Sequence, residues 1–196
     1  MNKLYLLLAF VVLAGACKKE KEDDQPVQHP AMTYVDLQNH EIKLDQEAAF
    51  DIDSDGRPDV VFFVYYIGAG QTIKTRFTIL GSGSVSFLTK DDNDQSVSPV
   101  KNLNDVIHIG NELPYEWWGA SETYLAEKIE PLNGQPAYWL GNWKNANHKF
   151  FPIQFTKLNK GCAGWIELSF DMQAEKLVLH RAAYSTVADS DIQAGK

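Results

Sequence analysis

From Tyr34 onward the apolar residues come in short runs separated by Gly, Asn, Asp and Pro, and none keeps helical spacing for more than two turns. Runs of this kind, bounded by turn formers, read as strands. Val60-Val61-Phe62-Phe63-Val64-Tyr65-Tyr66 is apolar on both faces, as in a strand covered on both sides. Elsewhere the period is two. Phe77 and Ile79, Val85 and Phe87, the set Phe151, Ile153 and Phe155, and the set Ile166, Leu168 and Phe170 each point one way between mostly polar neighbours. Turn signals fall at Gly68-Ala69-Gly70, Gly81-Ser82-Gly83, Asn133-Gly134 and Asn159-Lys160-Gly161. The pattern predicts one all-β domain over residues 34–196, a jelly-roll-like β-sandwich with a flattened barrel as the alternative. One helix is expected to interrupt it, around Ser121 to Ile129.

The chain before Tyr34 has a different character. Met1-Asn2-Lys3 is a short positive start, Leu4 to Gly15 is almost wholly apolar, and Ala16-Cys17 leads into the charged run Lys18 to Asp24. The apolar run is shorter than the about 20 residues a spanning helix needs, so residues 1–16 read as a signal peptide. Leu13-Ala14-Gly15-Ala16-Cys17 resembles the lipobox of bacterial lipoproteins, although Ala14 stands where Leu is usual. That resemblance implies a diacylglycerol on Cys17 and a protein anchored to a membrane without spanning it. Lys18 is unlike the Asp that retains lipoproteins at inner membranes, and the acidic run resembles a surface-export signal. The expectation is therefore a bacterial outer-membrane or cell-surface location, with residues 17–33 as a solvated tether.

The strongest local motif is Asp51-Ile52-Asp53-Ser54-Asp55-Gly56-Arg57-Pro58-Asp59, which fits D-x-D-x-D-G-x-x-D without a gap. Oxygens at alternate positions converge, Gly56 lets the backbone turn, and the Arg57 carbonyl faces the same centre. Four carboxylates within nine residues repel one another unless a cation joins them, so the loop is read as a calcium site of Asp51, Asp53, Asp55, Arg57 and Asp59. It is not an EF-hand, because the twelfth position is Phe62 and a strand follows. The loop looks like those of dockerins and FG-GAP propeller blades, in which the ninth-position Asp closes the shell. Together with Gly164-Trp165-Ile166-Glu167-Leu168, Ala182-Ala183-Tyr184 and Ile192-Gln193-Ala194-Gly195, the chain resembles a broad set of uncharacterised bacterial exported proteins. Their shared pattern is an acidic "DxNxDGxxD" loop, a "YGW" strand and an "AYxT...I.AG" ending. Ala163 replaces the aromatic residue before the glycine. That resemblance implies a single secreted β-domain and no established activity.

Composition narrows the partners. A net charge of −8 leaves no basic surplus for phosphates and argues against nucleic acid. His29, His40, His108, His148 and His180 are scattered without the spacing of a zinc site, and no C-x-x-C accompanies them. Gly81-Ser82-Gly83-Ser84 is a hairpin turn and not a nucleophile elbow. Cys162 with His180 as base is unmarked by any motif, and Glu112, Glu116 and Glu167 would suit glycoside hydrolysis only by converging in space. Four of the five tryptophans fall in two short loop-like segments, which makes Trp117, Trp118, Trp139 and Trp143 a candidate platform for stacking on sugar rings. The competing reading places these rings, and Trp165, in the core. The sequence thus points to a lipid-anchored, extracytoplasmic calcium-binding β-domain with a binding or structural role and a glycan or surface protein as partner. A carbohydrate-active enzyme or glycan-binding accessory lipoprotein is the alternative.

Overall fold

The computed structural model describes residues 29–93 and 95–196, so the leader, Cys17 and the first part of the tether lie outside the described residues. Among the described residues the chain is all-β. Its strands are β1 (Met32–Ile42), β2 (Glu47–Phe50), β3 (Val60–Ala69), β4 (Thr72–Gly81), β5 (Val85–Asp92), β6 (Gln95–Val97), β7 (Val106–Ile107), β8 (Glu116–Gly119), β9 (Glu122–Pro131), β10 (Tyr138–Leu140), β11 (Lys149–Lys157), β12 (Lys160–Asp171), β13 (Lys176–Ser185) and β14 (Ile192–Gln193). β1 starts at Met32, ahead of the expected boundary at Tyr34.

The front of the molecule is the antiparallel series β1-β13-β12-β11-β5-β8, and the back is β2-β3-β4-β9 with β10 and β6 both beside β9. β5 belongs to both. Val85–Phe87 pair with β11, whereas Lys90–Asp92 pair with β6. On the opposite side the turn Lys43–Gln46 carries the chain from β1 to β2, and β2 pairs with β3. The sheet is therefore a flattened, nearly closed barrel, which removes most exposed edge.

Inward-facing aromatics fill the space between front and back. Phe77 of β4 meets Phe170 of β12 edge-on at 4.8 Å, and Phe87 meets Phe151 at 5.1 Å. All the alternating sets read from the sequence lie in this core, including Phe155, Ile166 and Leu168. A second, smaller core lies on the outer face of the front sheet, where Trp165, Phe150, Ala163 and Ala183 are covered by Ile107, Ile192 and Ala194. The cover is the small sheet β14-β7. Gly164 explains the glycine of the Gly-Trp pair, since a Cβ there would stand 2.6 Å from the Ala183 carbonyl oxygen of the neighbouring strand.

The expected helix at Ser121–Ile129 is instead β9, paired with β4 along its length. Its pairing slips between Phe77 and Thr78, so Leu125 is an extra residue and Thr123 through Glu127 are all buried. The bulge thus puts Tyr124, Leu125 and Ala126 in an unbroken buried apolar row from both faces of the strand, a spacing that single-sequence periodicity mistakes for helix.

Candidate functional site

The acidic loop joins β2 to β3 at one end of the barrel. Its base is rigid: Asp59 N donates to the Phe50 carbonyl at 2.8 Å, Ser82 N donates to the Asp59 carbonyl at 2.7 Å, and Ile52 is fully buried. Gly56 takes φ +88°, a turn that other residues adopt only with strain. Asp51 Oδ2 accepts from Gly56 N at 2.8 Å, while Oδ1 accepts from Asp55 N at 3.2 Å. Asp59 is only 1% exposed, and its Oδ2 accepts from Ile52 N and Asp53 N at 2.7 and 3.1 Å. Burial, opposed by those two bonds and reinforced by Asp53 and Asp51, pushes the Asp59 carboxyl above the usual carboxylate range.

Ligand oxygens of Asp51, Asp53 and Asp59 lie within 4.8 Å of one another, so this group could hold a metal ion. Asp55 is exposed and stands outside that group; its Oδ1 accepts from Arg57 N at 2.9 Å. The sequence reading missed a nearby cation. Lys157, at the end of β11, places Nζ 3.2 Å from Asp53 Oδ2 and so offsets part of the loop's charge from within the chain.

On the outer face of the front sheet the structure assembles a second group. β13 bulges at His180, because Glu167 pairs with Arg181 while Leu168 pairs with Leu179. β1 bulges opposite, with Leu37 to Asn39 facing that one residue. The His180 ring stacks on His148 at 4.2 Å with 20° between planes. His148 Nδ1 lies 2.7 Å from Glu167 Oε1, and Arg181 Nε donates to Glu167 Oε2 at 2.6 Å. Burial alone would raise the Glu167 pKa, but the bonds from Arg181 and His148 hold it below the usual carboxylate value. The histidines looked scattered because the bulge and the turn before β11, not sequence spacing, bring them together. The available signal was a phase slip. Leu177 and Leu179 face the core at odd positions, but Ala182 and Tyr184 face it at even ones.

No protein-family profile, curated protein or solved structure compared with this chain matches it. Its own geometry therefore carries the functional argument.

The four loop tryptophans do not meet in one surface. Trp143 is fully buried on Phe151, and Trp139 packs between Phe77 and Phe170. Trp117 is partly buried against the small outer core, with Nε1 donating to the Gly110 carbonyl at 3.1 Å. Trp118 alone among them is largely open, 57% exposed, and it borders a cleft of about 630 Å³ with Thr89, Lys90, Asp91, Ser96 and Glu116. Acrylamide should therefore quench a minor part of the tryptophan emission, and Trp118→Phe should remove most of that part. Strong quenching that survives this substitution would mean that other rings are open.

Glu112, Glu116 and Glu167 take separate partners. Glu112 binds Lys101 at 2.5 Å, Glu167 binds Arg181 and His148, and Glu116 faces the Trp118 cleft. Cys162 is buried in the main core, where desolvation raises its thiol pKa, and the polar partners of His180 are Ser169 and Asn39.

Proposed function

We propose that this protein is a lipid-anchored, extracytoplasmic calcium-binding β-domain that binds its partner at the cell surface. The observation that supports it most is the convergence of Asp51, Asp53 and Asp59 on a loop pinned at both ends to the barrel. Preformed oxygen donors on a rigid frame favour a hard cation, and calcium tolerates the irregular shell such a loop offers better than magnesium does. Asp55 and the Arg57 carbonyl, which the motif adds to the shell, would have to turn toward the three converging carboxylates when the cation binds. The leader and lipobox-like Cys17 supply the location, and Cys17→Ser is the variant that should release the protein from membranes.

A cation that binds the folded chain and hardly the unfolded one adds roughly 2.7 kcal/mol at about 100 times its dissociation constant. For about 160 folded residues that corresponds to a rise in Tm of roughly 5 to 11 °C on adding calcium to chelated protein. Lys157→Met should tighten calcium binding roughly tenfold, because a unit charge a few ångströms away at an effective dielectric of ~20 is worth a few kcal/mol before screening. If the parent melts alike in calcium and in EDTA and Lys157→Met gains no response, the loop is an acidic turn that holds no cation.

A glycan is the partner that one specific observation favours. Trp118 presents an open aromatic face beside Thr89, Asp91, Ser96 and Glu116, polar groups suited to sugar hydroxyls. Retention on insoluble glycans that is lost in Trp118→Ala would support it. Equal retention of parent and variant would remove Trp118 from the account.

A further inference from the structure

The outer-face group around the His180 bulge is used neither by the metal loop nor by the Trp118 cleft. Ser169 Oγ lies 2.8 Å from His180 Nε2, and His180 Nδ1 lies 2.6 Å from Asn39 Oδ1. We propose that Ser169, His180 and Asn39 form a nucleophilic site that hydrolyses short-chain acyl esters. The amide oxygen of Asn39 can only accept, so it fixes the ring proton on Nδ1 and leaves the Nε2 lone pair facing the serine hydroxyl. This is the relation of nucleophile, base and orienting group that recurs on unrelated folds.

Several independent features hold the arrangement. The bulge in β13 turns His180 out of the alternating pattern toward Ser169, which is a common use of bulges next to active sites. Asn39 and His148 hold left-handed backbone conformations, φ 51° and 48°, and such strain persists where the surroundings enforce it. His148 stacks on His180 and is itself tied to the buried Glu167, which gives the base a neighbour on the ring face as well as at both nitrogens. Burial, then the neighbouring His148, opposed by Glu167, holds the His180 pKa below its ordinary value, the direction that favours a neutral base. His148 N donates to Ser169 Oγ at 2.8 Å, which orients the hydroxyl for donation to Nε2.

There is room for a substrate on both sides. A hollow of about 530 Å³ is bordered by Ser169, by Met172, Val178 and Phe170, which offer apolar contact to a short acyl chain, and by the polar Asp171 and Lys176. A second, of about 470 Å³, is bordered by Tyr34, Asn39, His148, His180 and Arg181, polar enough for the alcohol part. Ser169 Oγ would form a bond to the acyl carbonyl carbon while its proton passes to His180 Nε2. The C–O bond to the alcohol then breaks, and the leaving oxygen takes that proton. Water then attacks the acyl-serine carbonyl carbon while one of its protons passes to the same nitrogen; the Oγ–acyl bond breaks, Ser169 Oγ takes that proton back, and the carboxylic acid leaves.

The test uses purified full-length protein, a fluorophosphonate probe and p-nitrophenyl acetate. The expected result is a phosphonylated peptide mapped by mass spectrometry to Ser169, and turnover that falls on the order of 10²-fold or more in Ser169→Ala and in His180→Gln. Asn39→Ala should lower kcat with little change in KM, and Asn39→Asp, which keeps an acceptor, should restore it. If Ser169→Ala does not fold, Ser169→Cys serves instead, and its thiol should react with iodoacetamide well above the rate of an ordinary exposed thiol. A parent protein that the probe leaves unlabelled or labels elsewhere, or that turns over no faster than Ser169→Ala, overturns the proposal. So does a thiol that, in the Ser169→Cys variant, reacts no faster than an ordinary exposed one.

Discussion

Trp165→Ala should lower stability by about 3–5 kcal/mol, the range for removing a large aromatic side chain that the surroundings cannot replace. The ring is fully buried, meets Phe150 edge-on at 5.2 Å, carries the Arg181 guanidinium 5.1 Å above its centre, and donates from Nε1 to the Lys196 carbonyl at 3.3 Å. At roughly 2–4 °C per kcal/mol the loss corresponds to a fall in Tm of about 6–20 °C. The damage should be uneven. Trp165 is the centre of the small outer core, so amides of Val106, Ile107 and Ile192 to Ala194 should exchange with solvent well before those of β11 and β12. Trp165→Phe, which keeps a ring against Phe150, should retain more than half of the lost stability. A loss under about 1 kcal/mol for the alanine variant would mean that the C-terminal cover collapses into the space, contrary to the packing described.

The second large effect is electrostatic. Glu127 in β9 is 1% exposed, and its carboxylate lies 2.7 Å from Arg76 Nη2 and 3.3 Å from Lys74 Nζ. Breaking a buried pair by removing one partner leaves the other charges without compensation, which typically costs about 3–5 kcal/mol. Glu127→Ala should fall near about 3 kcal/mol, at the low end of that range, because Arg76 and Lys74 are part-exposed and recover some hydration. Glu127→Leu combined with Arg76→Leu should recover most of that loss, since an apolar pair of similar volume does as well as a buried ion pair. Urea unfolding of Glu127→Leu, Arg76→Leu and the double variant measures the coupling. Additive losses would show that the carboxylate and the guanidinium act independently.

The regular part of this fold was legible because its inward sets keep a clean period of two. Phe151, Ile153 and Phe155, and Ile166, Leu168 and Phe170, are core residues in the positions their alternation gives them. Trp165 precedes Ile166 on β12 and so takes the opposite strand face, which carries its own small core. What failed to show were the bulges. One inserted residue in β9 merged both faces into an apolar run that looked helical, and another in β13 moved His180 to the side of Ser169 and His148. In the acidic loop the motif named four converging carboxylates, of which the structure gathers Asp51, Asp53 and Asp59, and it gave no sign of Lys157, which arrives from the end of β11. Local pattern carries strand identity; the sites depend on where irregularities cross between distant strands.

The pairing of β1 with β13 sets a timetable for maturation. Met32 lies opposite Ser185 and Ile42 opposite Leu177, so the first of the described strands pairs with the last long one. A polypeptide released N-terminus first, from a ribosome or from a translocation channel, must therefore hold β1 unpaired until β13 is free. The long-range closure makes folding slow compared with a protein of local hairpins. During that interval the edge of β13's future neighbour is open to other extended chains. A holding chaperone that engages residues 32–42 would protect the nascent protein during the one period when this segment has nothing of its own to bind.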